Sequence, residues 1–269
     1  MKVRMYNVGF GDCFCLRDRK KSLLVDFGTN NSRIEGRPRR EIFDVIISDL
    51  STIKSKNLLL THFHMDHLSG LLYMMKKKDI SVDFGKIYLP DVFSKKEMSR
   101  TLVLLLLADL LKESGLPSRQ VSLFALVDAL LENKQNVELL SRGKLFENKY
   151  QALWPDTDVI WKETDEVYNR ICEDGKFKEV MDVLLEFAEK LRLIVWSMTA
   201  EGNKPAETVE KETDLTASEL TEQPEVRQKI IRAYVYEREF RRIKALPDFK
   251  KLLAWLNENQ INLRQVKHK

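Results

Sequence analysis

Residues 58–70 read LLLTHFHMDHLSG, an apolar run that breaks into His-x-His-x-Asp-His. Three of the chain's four histidines, His62, His64 and His67, fall here within six positions, with Asp66 among them. The preceding KNLLLTH suits a strand buried on both faces. A strand end holds the backbone firm, and the turn after it can aim several side chains at one point. Imidazole nitrogen with carboxylate suits zinc, with manganese or iron as alternatives. His62 and His64 alternate so as to supply two imidazoles to one ion, while Asp66 and His67 face a second. Two such ions would share a water and bring its pKa to about 7. Asp66 would also hold the resulting hydroxide in line for attack, which makes it the candidate catalytic residue. A polar turn with incidental histidines does not account for three in six positions beside an aspartate.

Other residues join by position. Thr61 stands next to the first ligand as a supporting partner. Asp26 ends the apolar run KSLLVDFG, where a buried carboxylate needs a donor and a ligand's imidazole N–H is a good one. Asp12 lies in NVGFGDC, where it stabilises the turn or borders the metal rim. That turn lacks the GxGxxG spacing and no helix follows it, so it is not read as a phosphate loop.

The flanking segments set the fold class. KVRMYNV, CFCLRD and KSLLVDFG read as strands, residues 29–40 as a polar loop, and EIFDVIISDLSTI and LSGLLYMMKKK as helices. VDFGKIYLPD gives a further strand. Strand and helix in alternation is an α/β pattern. Beyond residue 94 helices dominate, with KLFENKYQALWPD expected to return to the sheet as an edge strand. The expected division is an α/β region over 1–156, including helices within 94–140, and a mainly helical segment over 157–269. Within the latter, 199–225 is polar and acidic and reads as a mobile linker. The basic stretch 226–246 and DFKKLLAWLNEN read as helices, the first with a solvated face opposite the acidic linker.

Composition excludes several classes. A formal net charge of +4 over 269 residues does not by itself argue for nucleic acid. The start MKVRMYNVGFGDCF shows no secretory signal. TLVLLLLADLL is too short to cross a bilayer and reads as a buried helix, so no membrane partner is expected. Cys13 and Cys15, at i and i+2, read as core residues rather than a metal clamp, and the cytoplasm is the expected compartment.

THFHMDH resembles the metal-binding motif of the metallo-β-lactamase fold. MYNVGFGDCFCLRD and SLLVDFGTNN resemble its competence-protein (ComEC-type) hydrolase branch. The resemblance covers residues 1–93, with QALWPD as a weaker match. It implies the N-terminal half of an αββα sandwich, with a dinuclear zinc site at its rim held by His62, His64, Asp66 and His67. It further implies hydrolysis by metal-bound hydroxide of a phosphodiester or other small substrate, nucleic acid among them. The family's later ligands, including a threonine-glycine-aspartate turn and further histidines, have no counterpart here. After His67 the next histidine is His268, which reads as a tail residue. Three alternatives stay open. The chain is an N-terminal fragment of an active hydrolase, its helical segment an insertion before the missing half. Or it is a divergent protein whose site is completed by carboxylates, a partner chain or solvent. Or it is a non-catalytic module with a vestigial metal site, recruiting a partner protein through its helical segment.

Overall fold

A computed structural model describes residues 1–18, 21–77, 83–113, 123–133, 135–173, 175–200 and 240–259. The chain divides into two compact units, Met1–Pro90 with Arg119–Leu140 and Asp91–Ser118 with Ser141–Lys269. The α/β class read from the sequence is the one adopted, a central sheet with helices and further helical segments.

The first unit is built on strands β1 (Lys2–Met5), β2 (Phe14–Asp18), β3 (Lys21–Val25), β6 (Ser55–Leu59), β7 (Ile87–Pro90) and β8 (Val137–Leu140). They form one six-stranded sheet in the order β1-β2-β3-β6-β7-β8. The first two pairings are antiparallel and the other three parallel. Helix α1 (Arg39–Ser51) connects β3 to β6, and α2 (Met65–Lys76) connects β6 to β7.

Register explains why one face is dry. Arg4, Cys15, Leu24, Leu58, Ile87 and Val137 are successive partners across the sheet. Every member after Arg4 is buried. Arg4 and Arg17, which share this face by the two-residue period of a strand, both reach Asp49 of α1. The buried row therefore lies on the α1 side. There Phe43 of α1 meets Phe27 edge-on, with ring centroids 5.2 Å apart, and Tyr73 of α2 at 5.6 Å. The opposite face carries the buried Leu23 and Tyr88 and, besides them, Val3, Met5, Phe14, Val25 and Leu59. Val3 and Met5 are 59% and 73% exposed, and Phe14, Val25 and Leu59 are half-buried.

Three sequence expectations change. The polar loop 29–40 contains a short hairpin, β4 (Arg33–Ile34) with β5 (Arg37–Pro38). Its two-residue turn puts Glu35 and Gly36 at φ 49° and 80°, a geometry that glycine adopts readily. The segment 145–151 does not return to the sheet: β9 (Leu145–Phe146) pairs only with β10 (Tyr150–Gln151). Its turn residues Glu147 and Asn148 both have positive φ, folding the segment back on itself. The sheet position at its far edge is taken instead by VELL, the four residues of β8.

In the second unit, α3 (Ser99–Glu113) packs against α5 (Thr157–Cys172) and α6 (Lys178–Ser197). Leu102 to Leu107 are all buried, as an all-round apolar helix requires. Among the described residues no helix is long and apolar enough to cross a membrane. Of the basic stretch 226–246, residues 226–239 lie outside the described residues, as do 201–225 and His268. The last described helices are α7 (Phe240–Ala245) and α8 (Pro247–Glu258), with α4 (Leu123–Glu132) completing the first unit.

Candidate metal centre

The centre forms where β3 and β6 end. Asp26 follows β3 and Thr61 follows β6, and the parallel pairing of Val25 with Leu59 brings the two strand ends side by side. Helix α2 starts earlier than the sequence suggested, at Met65, so Asp66 and His67 lie in its first turn. An acidic residue there is favoured by the helix dipole. His64 is the N-cap, with an extended backbone and no side-chain capping hydrogen bond.

Asp26 organises the cluster. It is 2% exposed, and burying a carboxylate is costly unless donors surround it. Three do. The Thr61 backbone N–H donates to Oδ1 at 2.8 Å, and the Thr61 hydroxyl donates to Oδ2 at 2.7 Å. His67 Nδ1 donates to Oδ2 at 2.9 Å. The Thr61 hydroxyl, its proton committed to Asp26, accepts from His62 Nδ1 at 2.9 Å. One carboxylate thereby fixes His67 directly and His62 through Thr61. Both rings are left with Nε2 as the lone-pair nitrogen, the tautomer a ligand needs.

The imidazoles gather tightly. The His62 ring centroid lies 3.8 Å from that of His67 and 4.7 Å from that of His64. Asp66 Oδ2 is 3.7 Å from His67 Nε2. Asp12 Oδ2 approaches His67 Nδ1 at 3.5 Å. Asp12, Asp26 and His67 have ligand atoms all within 4.8 Å of one another. Burial disfavours a charged His67 ring, yet the hydrogen bond and charge of Asp26, with Asp66 and Asp12 beside it, outweigh that and raise its pKa above 6.5.

Glycines allow the segments to meet. A Cβ on Gly11 would lie 2.3 Å from the Gly28 carbonyl oxygen and 2.7 Å from that of Asp66. One on Gly28 would lie 2.6 Å from the Leu68 nitrogen. Backbone bonds lock this approach: Asp12 N–H donates to Asp66 O, and Phe27 N–H donates to His67 O. Beneath them Ser69 Oγ accepts from Thr29 N–H and donates to Thr29 O, both at 2.9 Å. Cys13 and Cys15 are buried, and burial pushes the Cys13 thiol well above its usual range.

The donor chemistry suits a divalent ion, but among the described residues the group whose ligand atoms lie within 4.8 Å of one another is Asp12, Asp26 and His67, and His62, His64 and Asp66 are not brought into it. Two imidazoles have their distal nitrogens presented by fixed tautomers, a third ring is adjacent, and carboxylates stand at the rim. Nitrogen and oxygen donors of this kind suit zinc, and also manganese or iron. The sequence reading pointed to the histidine segment, Thr61 and Asp26, and to Asp12 as either a turn or a rim residue. The approach of Asp12 depended on the Gly11–Gly28 contact, for which the glycine-bearing turns GFGD and DFG are the only local signal.

Residues 6–91 match the family model described as the metallo-beta-lactamase superfamily. A stretch of 77 residues, 29% of this chain, is 32% identical to Endoribonuclease YSH1 of Mycosarcoma maydis. That stretch spans 8% of the relative's length. No solved structure matches the chain.

Proposed function

We propose that this chain carries a metal-dependent hydrolase centre acting on phosphodiesters, nucleic acid among them, with zinc as its ion. The observation that carries the reading is the hydrogen-bond relay from Asp26 to His67 and through Thr61 to His62. Such carboxylate–histidine pairs typically set the orientation and basicity of metal-ligating rings. His62, His64, Asp66 and His67 would hold the metal, with Asp12 at the rim. A bound ion supplies Lewis acidity and a water of lowered pKa. Asp66, in the first turn of α2 with Oδ2 3.7 Å from His67 Nε2, would accept a proton and orient a nucleophile. The similarity to an endoribonuclease supports RNA as substrate, and the MYNVGFGDC turn supports a place near the competence-protein branch. A cytoplasmic location accompanies this reading.

The test is metal analysis of the purified chain, followed by hydrolysis of bis(p-nitrophenyl) phosphate. Zinc at one or two equivalents and turnover lowered by at least about 100-fold in His62→Ala and Asp66→Ala support the proposal. A protein without metal, or turnover indifferent to both changes, overturns it. The second reading, a non-catalytic module with a vestigial site and a partner on the helical segment, is motivated by the distribution of histidines, three in the centre and one at position 268. Unchanged folding in a chelator together with no turnover would favour it.

A further inference from the structure

The loop Tyr6–Cys13 and the hairpin β4–β5 form one rim beside the centre. Asn7 Nδ2 donates to Glu35 Oε1 at 2.8 Å, and a Cβ on Gly9 would fall 3.2 Å from Asn31 and 3.3 Å from Ile34. Phe10 is pinned by its backbone. Its N–H donates to Asn31 Oδ1 at 2.8 Å, and its carbonyl accepts from Asn30 N–H at 2.9 Å and from the Thr29 hydroxyl at 3.2 Å. The backbone is thus fixed while the side chain is left 68% exposed. Two residues further on, Asp12 reaches His67.

The hairpin side of the rim is basic. Arg33, Arg37, Arg39 and Arg40 fall within eight positions, and all four are exposed. Against them stand Glu35, engaged by Asn7, and Glu41. The Arg33 guanidinium is held by the Gly36 carbonyl through Nε at 3.1 Å and a terminal nitrogen at 2.9 Å. Arg39 and Arg40 open α1, where the helix dipole disfavours cations. They are therefore not explained by helix stability. An exposed aromatic on a rigid loop next to clustered guanidinium groups is the pairing that single-stranded nucleic acid recognition uses: bases stack on the ring and phosphates meet the cations.

We infer that the rim of Phe10 with Arg33, Arg37, Arg39 and Arg40 binds single-stranded nucleic acid and leads it to the centre. The purpose of this surface rests on the phosphodiester reading of the centre, but the binding does not require turnover. A duplex is the poorer ligand, because its base faces are already stacked.

The experiment is fluorescence anisotropy with a labelled single-stranded RNA of about 12 nucleotides and the full chain in EDTA, repeated across a salt series. Wild type is expected to bind with a Kd that weakens steeply with salt. Arg37→Gln/Arg39→Gln/Arg40→Gln should weaken binding at least about 10-fold and flatten the slope by roughly 0.7 for each phosphate no longer neutralised. Phe10→Ala should weaken binding about 5- to 100-fold and leave the slope unchanged. All these side chains are exposed, so circular dichroism and the urea midpoint should match wild type. No binding at low salt, variants that bind as wild type does, or equal affinity for the RNA duplex would each overturn the inference. Binding that survives while hydrolysis is absent leaves the rim standing and removes the hydrolase. Hydrolysis with rim variants indifferent does the reverse.

Discussion

Asp26 has a φ of 53°, in the left-handed region, where aspartate and asparagine are the best tolerated residues after glycine. The turn there aims its carboxylate back under Thr61 and His67. Asparagine would keep the backbone conformation but replace one acceptor oxygen by an NH2 group facing donors. Asp26→Asn is therefore expected to fold, to lose about 1–3 kcal/mol in urea denaturation, and to bind zinc about 10- to 100-fold more weakly against a chromophoric chelator. Unchanged zinc affinity would show that Asp26 does not orient the rings. The residue's importance was readable from its place at a strand end. An imidazole N–H donor was expected there, but which ring supplies it, 41 positions away, and that Thr61, 35 positions away, supplies the other two, were not readable.

At the scale of elements, α1 is fastened to the sheet edge by one carboxylate. Asp49 accepts from Arg4 at 2.5 Å, from the Tyr6 hydroxyl, and from Arg17 at 3.3 Å. Burial alone would raise its pKa, but the bonds from Arg4 and Tyr6 and the charges of Arg4 and Arg17 hold it below 3.8. A carboxylate lowered in the folded state stabilises fully above its unfolded pKa, and that contribution disappears as pH falls through the folded value. Asp49→Asn should thus be less stable than wild type at neutral pH, with the gap closing below pH 3.8. Urea midpoints measured at neutral pH and again well below 3.8 check this, and a gap that stays constant would exclude the carboxylate's charge as the cause. Helices α1 and α2 were legible from apolar periodicity and α3 from its continuous apolar run, both local properties. The β4–β5 hairpin was missed because its arginines and polar residues mask a two-residue turn. Strand β8 was missed because four residues carry almost no periodicity, and only pairing with β7 defines it.

For the molecule as a whole, the buried row of the central sheet and the exposed β1 edge of its other face differ sharply in what a substitution costs. Leu58→Ala, in the buried row beneath α1, should lose about 2–5 kcal/mol. Val3→Thr with Met5→Thr, on the exposed edge, should change stability by no more than about 0.5 kcal/mol each. Urea denaturation of the two variants decides this, and a comparable loss for both would mean that edge is covered. The sequence by itself determined the α/β class, the apolar helix α3 and the clustering of three imidazoles, because each depends on neighbours within a few residues. Tertiary structure alone decided that Asp12 comes to His67, that 145–151 pairs with itself rather than with the sheet, and that Phe10 stands beside an arginine hairpin. These outcomes hang on close backbone approaches at Gly11 and Gly28 and on strand pairings between distant segments. No short stretch of sequence encodes them.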